Sequence, residues 1–526
     1  MQINSKKPGF VLKIIVLTLL ASGIFSCAGP APEKASQWPH AVNYEIFVRS
    51  FCDSSGDGIG DIRGMTSRLD YLADLGIEGI WLMPVHPSSS YHKYNVEDYY
   101  EIHPDYGTLD DFREFVEEAH KRGIRVVIDM VINHSGSGHQ WFRDVIENGK
   151  ESPYHDYYIW AHGDTLPRHI ERMAEGYPDY GRRNRWNNLR GTEYWYYSYF
   201  GRSMPQLNYD NPAVRQEVFE IGRFWLEEIG VDGFRLDAAR HIYPENRVED
   251  IHRFWEEYRE EMLSVRGDVY LLGEVWASAP EVAPFLNGLP ALFNFDLSEA
   301  IQRAVTEEKE GGLVEDHLST LNHYLGINPE FIDATFITNH DQNRIMSVVG
   351  GDHNRARMAA ALLFTLPGSP YVYYGEETGM LGTKPDPNIR EGFLWDVDSL
   401  DGCRPTWKVP VYNTDNTVTP LALQMKDESS LFSFYRELIR LRNYSHGLAR
   451  GDLQATGYDA DGLVAFTRDH NNESLLVLHN ISGSPVSLDL AAGHAAFGKV
   501  KFASNGSGRN GQSVKLYPYS TVILSK

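Results

Sequence analysis

Residues 211–237 read NPAVRQEVFEIGRFWLEEIGVDGFRLD, and the order of signals in this stretch decides the fold. Asn211 is a helix-capping residue, and Pro212 suits the first helical position, where a backbone N–H has no partner to lose. Val214, Val218, Ile221, Trp225 and Ile229 then recur at helical spacing, so one face of the helix is apolar. Gly233-Phe234-Arg235-Leu236 follows as a short buried strand that ends on a carboxylate, Asp237. A helix feeding directly into an apolar strand is the repeating half of a parallel α/β fold.

The same logic appears upstream. Thr108 can cap a helix through residue 121 with Phe112, Phe115 and Ala119 on one face, Gly123 stops it, and Val126-Val127-Ile128 begins a buried strand. Extended along the chain, the rhythm predicts eight strands, near residues 43–49, 78–84, 125–131, 233–237, 269–274, 291–296, 334–339 and 369–374. Eight such units imply a closed (β/α)8 barrel over residues 39–134 and 206–432. The gap between strands three and four is too long for a simple crossover, so residues 135–205 are expected to form an inserted subdomain over the barrel mouth. Near residue 435 the pattern changes to short alternating runs separated by Asn, Gly and Ser, which predicts a C-terminal antiparallel β-sandwich over 433–526.

The N-terminus lies outside this rhythm. Lys6, Lys7 and Lys13 precede the apolar stretch 14–25, which is too short to span a bilayer and reads as part of a signal sequence over residues 1–26. Ile24-Phe25-Ser26-Cys27 resembles a bacterial lipobox, which implies lipidation of Cys27 and a tether over residues 27–38. The expected location is the cell envelope or surface, with the membrane reached through lipid alone. Cys52 and Cys403 then remain, either as one bridge or as two free thiols.

At 526 residues and 42% hydrophobic composition the chain can bury a barrel-sized core and smaller domains, and it is expected to act as a monomer. A net charge of −23 argues against nucleic acid, whose binding draws on clustered Lys and Arg. Neutral substrates meet no such barrier. The 11 Trp and 30 Tyr suit a site that stacks rings on sugar faces, although most aromatics fill cores.

In a parallel barrel the C-terminal strand ends open onto one pocket. Here strand three ends in Asp129-Met130-Val131-Ile132-Asn133-His134, strand four in Arg235-Leu236-Asp237, strand five in Gly273-Glu274-Val275-Trp276 and strand seven in Asn339-His340-Asp341. Singly, each acid would be read as a surface ion pair or a helix cap. Together they place several acids and histidines on one rim. Two carboxyls across a pocket suit glycoside hydrolysis, in which one attacks while the other, kept protonated by its surroundings, protonates the leaving oxygen. A third acid raises its neighbours' proton affinity by charge repulsion.

These segments, with Met204-Pro205-Gln206-Leu207-Asn208 before strand four, resemble the ordered signature regions of the α-amylase family, and the segment around Tyr91–Tyr106 resembles that of its lipoprotein α-amylases. The resemblance runs from about residue 40 to the C-terminus. It implies that Asp237 is the nucleophile, Glu274 the acid/base and Asp341 the third acid, with Arg235 orienting Asp237. It further implies substrate contacts from Tyr94, His134 and His340, with His241 and Arg240 just beyond the scissile bond. Gln206, Asn95 and Arg240 depart from the commoner residues at their positions, which bears on the sugar subsites.

Asp53-Ser54-Ser55-Gly56-Asp57-Gly58-Ile59-Gly60-Asp61 places oxygens at alternate positions around glycines, as a hard cation requires, and calcium is the natural candidate. The twelfth position is Gly64, so the loop is not an EF-hand. It resembles the calcium loop after the first strand of oligoglucosidase-like relatives, which implies Asp53, Ser55, Asp57, the Ile59 carbonyl and Asp61 as ligands. Asn133 matches a position that binds a second, interdomain calcium in many amylases.

The three acids are shared by endo-acting α-amylases, exo-acting α-glucosidases and transglycosylating relatives. Export suits a polymer or long oligosaccharide, so the expected activity is retaining hydrolysis of α-1,4 bonds in starch, glycogen or maltooligosaccharides. A non-catalytic glucan-binding barrel would be expected to lose one of the three acids, and none is lost.

Overall fold

A computed structural model describes residues 1–2, 34–174, 185–243, 245–471 and 473–526. The apolar N-terminal stretch and Cys27 lie outside the described residues. Residues 34–38, the end of the expected tether, do not hang free. The Ala35 N–H donates to the Asn443 carbonyl at 2.8 Å, the Ser36 hydroxyl donates to Glu78, and both residues are buried.

Eight parallel strands close into a barrel in chain order: β1 (Asn43–Ile46), β2 (Gly79–Leu82), β3 (Arg125–Met130), β4 (Gly233–Leu236), β5 (Tyr270–Gly273), β6 (Ala291–Phe293), β7 (Ile332–Phe336) and β8 (Ser369–Tyr373). Asn43 pairs with Gly79 on one side and Tyr371 on the other, which closes the ring. β1 stops short of its expected end because Val48–Phe51 turns into a helix.

The helix before β4 spans Pro212–Phe224, and the Asn211 side chain accepts from the Ala213 N–H as a cap should. It continues through a π-helical turn, Trp225–Ile229, until left-handed Gly230 ends it. The five apolar stripe residues are all buried. Thr108 caps Leu109–Lys121 in a reciprocal capping box with Asp111.

Trp81, Val127, Leu272, Phe293, Phe336 and Tyr371 fill the barrel interior, and Trp38 closes its base, 4.8 Å from the Tyr270 ring. Burying one such apolar side chain contributes roughly 1.5–3 kcal/mol. A solid interior leaves the C-terminal mouth as the place for chemistry.

The inserted segment carries a three-stranded sheet of Trp160–His162, Tyr194–Tyr197 and Trp186–Asn188, with the second of these in the centre. Of its aromatic residues, Tyr197 lies in the subdomain core, while Phe200 reaches the barrel mouth.

The β-sandwich has sheets of five and three strands around Leu463, Leu476, Leu478, Val514 and Leu524. Its first strand begins at Asp452, not at the expected boundary of 433. The helix Leu431–Asn443 belongs with the barrel, since Tyr435 packs 5.6 Å from Phe364 on the helix His353–Thr365.

Cys52 and Cys403 are joined by a disulfide across a sequence separation of 351, which settles the alternative left open by the sequence. Among the described residues no helix is long and apolar enough to cross a membrane.

Candidate active site

The loops after β2, β3, β4, β5, β7 and β8 surround a cavity of about 210 Å3, walled by Asp237, Glu274, Asp341, Tyr94, His134 and Arg390 among others. A larger cavity of about 770 Å3 lies at the opposite end, between the barrel base and the sandwich, and none of the strand-end acids reaches it.

Arg235 organises the mouth from within β4. Its Nη1 donates to Asp237 Oδ1 at 2.7 Å and to both Asp129 oxygens at 3.0 Å, while Nη2 lies 2.9 Å from Glu274 Oε1. The guanidinium rests 5.0 Å over the Trp81 ring and is 1% exposed. One buried cation therefore holds three carboxylates that would otherwise repel one another. Glu274 is fixed at its other oxygen by the Ala238 N–H at 2.9 Å, and Ala238 adopts the left-handed conformation (φ 48°) that aims this N–H.

Asp341 sits on a second network. Arg390 Nη2 donates to its Oδ1 at 2.8 Å, and His340 Nε2 lies 3.3 Å from its Oδ2. The other nitrogen of His340, Nδ1, faces Glu45 Oε1 at 2.6 Å. Tyr94 joins the two networks: its hydroxyl donates to Asp129 at 3.1 Å and meets His340 Nε2 at 2.7 Å, with its ring parallel to the imidazole.

The electrostatics follow. Burial pushes the Glu274 carboxyl above its ordinary value; Arg235 opposes the shift, and Asp237 and Asp341 reinforce it. Burial raises Asp237 as well, against the pull of Arg235. Asp341 is held below the usual range because His340 and Arg390 outweigh its desolvation. Burial alone drives His134 down to about 4, so it serves as a neutral hydrogen-bonding group.

The structure thus brings Asp237, Glu274, Asp341, Tyr94 and His134 to the cavity wall and sets Arg235 and His340 behind it. His241 and Arg240 do not line the cavity. The His241 ring stacks on Tyr199 at 4.2 Å, and Arg240 reaches Glu281 at 3.4 Å. Sequence reasoning missed Arg390, Glu45 and Asp386, which lie in no apolar strand-end pattern; Glu45 sits inside β1 and takes its meaning from His340 across the barrel. It also passed over Trp276, which is half exposed and stacked on Phe295 at 4.7 Å.

The chain belongs to the α-amylase family. The model of the α-amylase catalytic domain matches residues 45–451, and that of the α-amylase SusG C-terminal domain matches 463–523. The chain is 39% identical to "Alpha-amylase 3" of Dictyoglomus thermophilum over 85% of each protein. It is 32% identical to a 4-alpha-glucanotransferase of Thermotoga neapolitana over 92% of this chain and all of that one. The solved α-amylase from H. orenii superposes with a TM-score of 0.81 at 38% identity, covering 93% of this chain and 99% of that one. The protein is therefore an enzyme of a family of glycoside hydrolases and transglycosylases.

Members of this family often bind calcium, yet among the described residues no group of three or more His, Cys, Asp or Glu side chains is arranged to hold a metal ion. In the first loop Asp53 accepts the N–H groups of Ser55, Gly56 and Gly58, and Asp61 accepts those of Ser54 and Gly64. A carboxylate oxygen has two lone pairs, so the single bonds at Asp53 Oδ2, Asp57 Oδ1 and Asp61 Oδ2 leave capacity for a hard cation. The donor chemistry fits. At Asn133 it does not: its amide nitrogen, like that of Gln206, donates to the His241 carbonyl.

Proposed function

We propose that this enzyme is an endo-acting α-amylase that cleaves α-1,4 bonds in starch, glycogen or maltooligosaccharides with retention of configuration. The observation that carries the reading is the shared hold of Arg235 on Asp237 and Glu274. Two carboxyls within reach of one guanidinium match the spacing of about 5–5.5 Å typical of retaining enzymes better than the roughly 6.5–9.5 Å that leaves room for water in inverting ones.

Asp237, gripped by Arg235 at 2.7 Å and aimed at the cavity, attacks the anomeric carbon as its carboxylate. Glu274, whose buried surroundings favour its proton, gives that proton to the leaving oxygen and then takes one from the incoming water. Asp341, the acid held ionised, binds sugar hydroxyls, and Tyr94 supplies a ring face beneath the sugar. The exposed Trp276 platform beyond Glu274 supports a substrate longer than one or two sugars.

The test is incubation with starch and, separately, with a short maltooligosaccharide, following product size and anomer at early times. Mixed α-anomeric oligomers with rapid loss of viscosity are expected. Glucose alone, released only from short chains, would move the assignment to an exo-acting α-glucosidase, and longer products than the substrate would move it to a transferase.

The reading includes a structural calcium ion held by Asp53, Ser55, Asp57, the Ile59 carbonyl and Asp61, which would neutralise the loop's charge and take no part in the reaction. Titration of chelator-treated protein with Ca2+ should show one site that Asp57→Ala removes. The reading also includes export and lipid anchoring through Cys27 of an enzyme that acts as a monomer. The disulfide supports an oxidising compartment. Loss of membrane association in Cys27→Ala cells is the expected result.

A further inference from the structure

The turn that begins at Asp237 ends at His241, and the His241 carbonyl is its exit. Inside it, the His241 N–H donates to the Ala238 carbonyl at 2.8 Å and the Ala239 N–H to the Glu274 carbonyl at 3.1 Å. Two side-chain amides from other elements converge on the exit. Asn133, just past β3, donates Nδ2 to the His241 carbonyl oxygen, and Gln206, where the chain returns from the inserted subdomain, donates Nε2 to the same oxygen at 2.7 Å. The two donors are joined by backbone, since Leu207 N–H donates to the Asn133 carbonyl and Gln206 bridges His134 in antiparallel fashion.

Gln206 is 2% exposed, and its Oε1 is buried with no partner among the described residues. A buried acceptor left unmade costs about 1–3 kcal/mol. That cost is tolerated here because the opposite orientation is worse. Turning either amide would set its oxygen against the carbonyl oxygen, and turning both would leave three oxygens facing one another. Such an arrangement would need a cation at its centre, and although amide and peptide oxygens can ligand calcium, these three carry no formal charge to strengthen the hold. The amide orientation and a bound cation exclude each other.

We infer that Asn133 and Gln206 form a cation-free latch, in which two amide donors on one carbonyl do the work of an interdomain metal ion and lock the inserted subdomain onto the catalytic turn. The consequence reaches the cavity directly. Phe200 and Met204, just before Gln206, line it, and Tyr199 stacks on His241. Gln206 is therefore a positioning residue: it sets a wall of the pocket and the turn leaving Asp237, without touching the reacting atoms.

The test is hydrogen exchange by mass spectrometry on the full chain, in chelator and in millimolar Ca2+, reading peptides that cover residues 199–209 and 238–243. In the wild type, exchange of these peptides should be the same in both buffers, and any calcium response should be confined to peptides around residues 53–64. Gln206→Met, which keeps the length but cannot donate, should exchange faster in both buffers. Gln206→Glu should exchange faster in chelator and be slowed by Ca2+, because a carboxylate can share a cation with the carbonyl.

The inference rests on the catalytic reading for its kinetic arm alone. There kcat/KM of Gln206→Glu should fall on the order of tenfold in chelator and recover with Ca2+, while the wild type stays level. Wild-type peptides 199–209 and 238–243 that lose protection on chelation and regain it with calcium would overturn the latch, even if neither variant folds. Unchanged exchange in Gln206→Met would overturn it from the other side. Failure of the hydrolytic reading would show instead as inactivity of the wild type, with the exchange pattern intact.

Discussion

At the barrel mouth, Asp237, Glu274 and Asp341 come from three strands and lean on guanidiniums and a histidine. In the first loop, Asp53, Asp57 and Asp61 come from nine consecutive residues and lean on their own backbone amides. Both regions read in the sequence as clusters of acids. They differ in what the fold asks of those acids: the loop carboxylates make a turn by accepting N–H groups, whereas the mouth carboxylates are desolvated and balanced against buried cations, with oxygens facing an open cavity. An acid satisfied by its own loop builds structure. One held against a counter-charge beside empty space is available for chemistry.

The largest way to break this distinction is to neutralise one acid in each region. Asp237→Asn should lower kcat on the order of 10⁴-fold, and Glu274→Gln by about 10²–10⁴-fold, with melting temperature nearly unchanged. Asp57→Asn should leave kcat within about twofold, since its carboxylate serves its own turn, accepting the Ile59 N–H, and does not face the cavity. A turnover loss at Asp57 comparable with that at Asp237 would erase the comparison.

The legibility of each region depends on the range of its interactions. Helix stripes, caps and strand-end acids are local, and the helix from Pro212, the capping box at Thr108 and the eight strands could be read directly. Arg390, Glu45 and the partner of Asn133 could not, because their meaning lies in contacts made across the barrel. The sandwich boundary is hard to read for a related reason: the helix Leu431–Asn443 stands just before the change to strands, but its apolar face belongs to the barrel helix it packs on. The convergence of loop oxygens on a cation is likewise a three-dimensional property that alternate spacing permits without enforcing.

A smaller effect sharpens the mouth side. Arg390 makes three contacts that a lysine cannot reproduce together: Nε to the His340 carbonyl, Nη1 to the Tyr91 hydroxyl and Nη2 to Asp341. Arg390→Lys should cost about 10–100-fold in kcat/KM on maltooligosaccharides. Kinetics within twofold of the wild type would mean that Asp341 needs no fixed counter-charge.

The pH profile offers a subtler break. Asp341 is one of the charges that raise Glu274. In Asp341→Asn that repulsion is gone, Glu274 loses its proton at lower pH, and the alkaline limb of the residual kcat/KM should move toward acid. A limb that stays in place, or moves toward alkali, would assign it to another group.

The smallest effect on activity comes from an acid that is at least as buried as Asp237 yet lies outside the mouth. Glu376, after β8, accepts from the Tyr435 hydroxyl at 3.1 Å and the Thr338 hydroxyl at 3.2 Å, and burial pushes its carboxyl from the usual 4.5 up to about 8. The folded protein thus keeps a proton that the unfolded chain releases. The resulting stabilisation is complete below pH 4.5 and is lost as pH rises through 8, so melting temperature should fall between pH 5 and pH 9. Glu376→Gln, which cannot lose a proton, should flatten that fall while leaving kcat within about twofold. The comparison of the two melting curves isolates Glu376 from Asp129 and Asp333, which are raised to about 7 and titrate in the same window. Equal slopes would show that Glu376 does not hold its proton. A large loss of kcat would show that burial alone, without a cavity and a counter-charge, can make an acid part of the site.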